Sequence, residues 1–155
     1  MKNTKKLLAL TLIFALLSLL VLTSCTGGVS MDESENMVKS FCNALKNDDY
    51  ETASTLMHKN AGLDAQKIEE SIANIEKTCG FDFSDGVEFV QRTNYSVMNN
   101  INIPAGFSTT ITIQYDISVS EKDCALKVVL LNNSAGLGIY SFYINLPSGV
   151  GSNAA

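Results

Sequence analysis

The chain has 155 residues, 11 basic and 16 acidic side chains, one histidine, four cysteines and no tryptophan, for a formal charge of −5. An acidic balance excludes a nucleic-acid binder, since phosphate contacts need clustered Lys and Arg. With one histidine and no Cys-x-x-Cys, there is neither a zinc-ligand set nor a thioredoxin-like motif. No cofactor and no metal are expected.

The first 25 residues have the order of a secretory signal. Lys2, Lys5 and Lys6 precede an apolar run from Leu7 to Leu22, and small residues follow. The run is about 16 residues, short of the ~20 that a bilayer core requires. Leu22-Thr23-Ser24-Cys25 resembles the lipobox of bacterial lipoproteins: an aliphatic residue, two small residues, then the cysteine that is lipidated. The resemblance implies cleavage before Cys25, a diacylglyceryl thioether on its sulfur with further acylation such as palmitate, and an extracytoplasmic protein held at the cell membrane or outer membrane. Residues 1–24 are then a signal peptide and 25–33 a lipidated tether. Three lysines leave with the signal, so 8 basic residues face 16 acidic ones, a formal charge of −8. Anionic headgroups would repel such a domain, and the acyl chains must do the holding.

A first helix is predicted from Ser34 to Lys46, because Met37, Val38, Phe41, Cys42 and Leu45 share one helical face. Asn47-Asp48-Asp49 ends it, and Asp48 with Glu51 reads as a capping box for a short helix from Asp49 to His58. Asp64 is placed to cap a third helix carrying Ile68, Ile72, Ile75 and Cys79 on one stripe, with Gly80 as its terminator.

The period then changes to two. Val87 to Met98 is rich in β-formers, with Val87, Phe89, Tyr95 and Val97 on one parity. Residues 99–106, containing Pro104, read as a loop. Phe107, Thr109, Ile111, Ile113, Tyr115, Ile117 and Val119 alternate with polar residues, which predicts a long strand with one wet face. Glu121-Lys122-Asp123 reads as a turn, Cys124 to Leu131 as a central strand and Leu137 to Leu146 as the last. Residues 147–155 read as a flexible tail. The expected fold is α+β: three N-terminal helices packed on a curved four-stranded antiparallel sheet, forming one domain over 34–146.

The segment Val38-x-x-Phe41-x-x-Ala44-Leu45-x-x-x-Asp49-Tyr50-x-x-Ala53 resembles the opening helices of the nuclear-transport-factor-2-like superfamily, which includes ketosteroid isomerases and polyketide cyclases. The resemblance implies a cone-like fold with a pocket between sheet and helices, and often a homodimer. It leaves function open, because that superfamily hosts enzymes, binders and scaffolds.

Isomerase chemistry in such a cone needs a carboxylate base and an acid or phenol donor in an apolar setting. Tyr95 and Tyr115 fall on core parities, where they either pack or line a pocket. No acidic residue falls on a core-facing position: Asp116 and Glu88 lie on wet parities, and Asp48, Asp49 and Asp64 read as caps. His58 is expected to meet the carbonyls at the end of the second helix. With Cys25 assigned to lipid, Cys42 and Cys79 share the apolar helical stripes. They are read as a disulfide if helices one and three pack side by side, with buried free thiols as the alternative and Cys124 left over. The expected function is that of a non-enzymatic, membrane-anchored module that binds a small apolar ligand or a protein partner of the cell envelope. The rival is an isomerase or cyclase with an unrecognised polar dyad.

Overall fold

The computed structural model describes residues 28–102 and 106–146. Residues 1–24, expected as a signal peptide, Cys25, and residues 147–155, expected as a tail, lie outside the described residues. The fold is α+β: helices α1 (Met31–Lys46), α2 (Tyr50–Thr55) and α3 (Ala65–Cys79), two 3-10 turns (Lys59–Ala61 and Phe83–Asp85), and strands β1 (Glu88–Asn102), β2 (Gly106–Val119), β3 (Lys122–Asn133) and β4 (Gly136–Asn145). The strands form one antiparallel sheet in the order β1-β2-β3-β4.

Each helix starts on a side-chain cap. Ser30 Oγ accepts from the Glu33 N–H at 3.1 Å, so α1 begins three residues before the expected Ser34. The second cap is Asp49, not Asp48: Asp49 Oδ1 accepts from the Thr52 N–H at 2.9 Å, while Asp48 sits in the left-handed region at φ 52°. Asp64 caps α3 through the Lys67 N–H at 2.9 Å, and Gly80 ends it at φ 70°. Helix α2 is shorter than its sequence suggested. The chain after it is pulled onto the sheet, where His58 N–H donates to Ile139 O at 2.8 Å and Ile139 N–H to Leu56 O at 2.9 Å. Gly138 permits this approach, since a Cβ there would lie 2.6 Å from His58 Cα.

The core lies between the helices and one face of the sheet. Ile111, Ile113, Tyr115, Ile117 and Val119 of β2, and Cys124, Leu126, Val128 and Leu130 of β3, point inward against Val38, Phe41, Leu45, Ile68 and Ile72. Phe41 and Phe142 meet at 5.0 Å between ring centroids. Two register shifts in β1, between Phe89 and Gln91 and between Arg92 and Asn94, let both Phe89 and Tyr95 pair with inward isoleucines, Ile117 and Ile113. The β2–β3 turn is Ser120-Glu121, both left-handed (φ 49° and 62°), so β3 starts at Lys122, inside the expected turn. Likewise β1 continues to Asn102, into the expected loop.

The Cys42–Cys79 bridge expected from the sequence is not formed. Cys42, Cys79 and Cys124 are all free thiols. The expectation needed α1 and α3 side by side, but the short α2 packs against both. The end of α3 lies instead over the start of β3, where Lys122 Nζ donates to the Cys79 carbonyl at 3.2 Å and to that of Gly80.

Candidate functional site

Two features border α1. One is a groove of about 570 Å³ along its C-terminal half. Lys39, Asn43 and Lys46 form one wall with Cys42 at the floor, and residues 85–89 with Ser118, Ser120 and Glu121 form the other. Helix and strand are placed this way because the apolar face of α1 lies on the sheet, leaving Lys39 and Lys46 on its flank. The groove thus carries two lysines opposite Asp85, Glu88 and Glu121. Among the described residues the ion pairs are Lys67–Asp64 and Arg92–Glu35, so neither groove lysine is held in a close ion pair. Burial raises the Cys42 thiol to about 12, which removes it as a nucleophile.

The other feature is a polar cluster at the N-terminal half of α1. Arg92 pairs with Glu35, touches Met31 Sδ at 2.9 Å and stands 5.9 Å from the Tyr95 ring centroid. Tyr115 lies beneath, 3% exposed, with its ring edge-on to Phe89 at 5.0 Å. Its hydroxyl is the one buried side-chain polar atom among the described residues that has no hydrogen-bond partner. Burial first, and the nearby Glu35 carboxylate second, push Tyr115 up to about 12, so the phenol stays protonated. Sequence reasoning passed over Glu35, because its approach to Arg92 depends on where α1 docks.

The structure brings the two tyrosines singled out as pocket lining together at Arg92, but not around a pocket. Tyr115 is inside the core, Tyr95 is half-buried at its edge, and neither lines the groove. His58 does not meet helix-end carbonyls. It is buried, with Nδ1 accepting from the Asn60 N–H at 3.0 Å and Nε2 at 3.1 Å from Asn133 Oδ1. The first contact makes Nδ1 the acceptor, so Nε2 carries the proton and donates to Asn133. The imidazole ties the α2–α3 segment to the β3–β4 turn. Among the described residues no three His, Cys, Asp or Glu side chains are grouped to hold a metal, and no helix is long and apolar enough to cross a membrane. Comparison with known protein families and with curated proteins finds no match to this sequence.

Proposed function

We propose that this chain is a lipid-anchored, extracytoplasmic, non-enzymatic module that binds a protein partner of the cell envelope. The observation that carries the anchor is Leu22-Thr23-Ser24-Cys25 behind three lysines and an apolar run. A partner is favoured over a small apolar ligand because Phe41, Tyr115, Phe142 and the isoleucines of β2 fill the space under the sheet. The groove beside α1 sets Lys39 and Lys46 opposite Asp85, Glu88 and Glu121, and such a mixed-charge lining suits a polypeptide with charged side chains better than a hydrocarbon. The nuclear-transport-factor-2-like cone is part of the same reading. It is supported by helices preceding a four-stranded meander that packs them on one face.

Native mass spectrometry on the full chain extracted from its membrane, with and without Lys39→Glu/Lys46→Glu, tests the partner. The expected result is a co-purifying polypeptide that the double variant loses. A bound small molecule of discrete mass, retained by the variant, would contradict it.

A second reading, an isomerase or cyclase, has one observation in its favour: the unpartnered Tyr115 hydroxyl close to Glu35 and Arg92. Against it, Glu35 is committed to Arg92 and is not free to act as a base.

A further inference from the structure

The charges of this chain are segregated. No Asp, Glu, Lys or Arg occurs from Thr93 to Tyr115, nor after Lys127. The strand register gathers these stretches at one end of the sheet: Val97 lies opposite Ile111, Thr109 opposite Asn132, and Asn132 opposite Leu137. One end of the strands is therefore uncharged, although the mature chain carries a formal −8. On the helical side Lys59, next to His58, flanks that end.

The same end exposes apolar side chains. Val97 is 48% exposed, Met98 60%, Ile101 78% and Phe107 53%. Val97, Ile101 and Phe107 continue the core-facing side of the β1–β2 hairpin past the helices, and Met98 points from the opposite face. Apolar groups on both faces make a wedge, which suits insertion into a fluid medium more than docking on a flat protein surface.

The direction of α1 says what the wedge meets. Lys46, at the end of α1, lies against Gly86 before β1, whereas Met31 and Glu35, at its beginning, lie against Arg92. Helix α1 thus runs antiparallel to β1, and the chain leading into it arrives from the hairpin end. Cys25 precedes Met31 by six residues, a reach of about 20 Å when extended. Ile101 lies nine residues beyond Arg92 along β1, about 30 Å at ~3.3 Å per residue. With the tether extended toward that end, the hairpin would reach roughly 10 Å past Cys25, close to the ~5–10 Å depth to which interfacial segments bury in a bilayer.

We propose that the uncharged end of the β1–β2 hairpin, through Val97, Met98, Ile101 and Phe107, inserts into the surface of the bilayer that holds the Cys25 anchor. This rests on the lipoprotein reading above. The insertion fixes the domain's orientation, with the acidic end of the sheet, at Asp116, Glu121 and Asp123, held away from the headgroups and the α1 groove turned toward partners.

The chain contains no tryptophan, so one introduced residue is a clean reporter. Full-length Phe107→Trp and, at the opposite end of the sheet, Asp123→Trp are purified from membranes, weighed intact, and reconstituted into phosphatidylcholine vesicles with bromine on the acyl chains. The expected result is a blue-shifted emission for Phe107→Trp, quenched about two-fold at interfacial depth, and an unquenched Asp123→Trp. Lipidated protein in which Phe107→Trp emits as in water, or in which both sites are quenched alike, would overturn the insertion and leave the anchor standing. A mass without lipid on Cys25 would overturn the anchor and the insertion with it.

Discussion

Removing the Tyr115 hydroxyl should stabilise this protein. Tyr115 is 3% exposed and its oxygen has no partner, so folding strips the group of water without replacing the hydrogen bond. Leaving a buried hydroxyl unsatisfied costs roughly 1–3 kcal/mol. Tyr115→Phe deletes that oxygen and keeps the ring where it meets Phe89 at 5.0 Å. The phenol is held protonated, pushed up to about 12 by burial and by Glu35, so no charge is lost with it. We expect a gain of about 1–2 kcal/mol, or a rise in Tm of roughly 5 °C for a domain of this size. Urea unfolding followed by circular dichroism, with the m-value unchanged between variants, measures it. A loss of about 1 kcal/mol or more would show that the hydroxyl has a bound partner. It would refute the packing account and strengthen the enzyme reading.

Three further outcomes follow from the geometry. Gly138→Ala should cost about 2–3 kcal/mol in thermal unfolding, because a Cβ lying 2.6 Å from His58 Cα forces apart the two Ile139 backbone hydrogen bonds; an unchanged Tm would contradict that contact. Asp49, Asp64 and Asp82 are each held below their ordinary value of 3.8: a side-chain and backbone hydrogen bond from Thr52 acts on Asp49, the Lys67 N–H on Asp64, and Ser84 on Asp82. Lowered folded-state values mean that this stability is present above the ordinary value and lost as pH falls through the lower ones. Tm should therefore hold between pH 7 and about 5 and drop below about 4, and a Tm rising on acidification would refute the cap assignments. Native alkylation at pH 8 should leave the buried Cys42 unlabelled while the half-buried Cys79 reacts first; fast labelling of Cys42, or a Cys42–Cys79 cross-linked peptide, would contradict the structure.

What the sequence made legible was local. Asp64 and Gly80 bracket α3 because a cap and a left-handed terminator act within one turn, and the alternation from Ile111 to Val119 records a single buried face. Errors arose where neighbours compete or where distant segments decide. Asp48 and Asp49 are both good caps, and only the left-handed turn at Asp48 selects the second. Ser120 and Glu121 lack the usual turn glycine, so Lys122 read as turn and became strand. The disulfide failed on a tertiary question, the placement of α2 between α1 and α3, which helical stripes do not encode. The site was less legible than the fold. Glu35 meets Arg92 across 57 positions, and the groove exists only because α1 settles with Lys39 and Lys46 at its flank. The uncharged end could be read as two sequence stretches without charge, but only the register brings them together.

The measurement that bears most directly on the central claim is the intact mass of the mature protein extracted from the membranes of a bacterial host expressing the full chain, with Cys25→Ser alongside. The lipid-anchored reading predicts a chain beginning at Cys25 and carrying a diacylglyceryl group on its sulfur, and a Cys25→Ser protein with no lipid that no longer fractionates as the anchored form. An unmodified chain still beginning at Met1, or one cut elsewhere with a free Cys25 thiol, would contradict it.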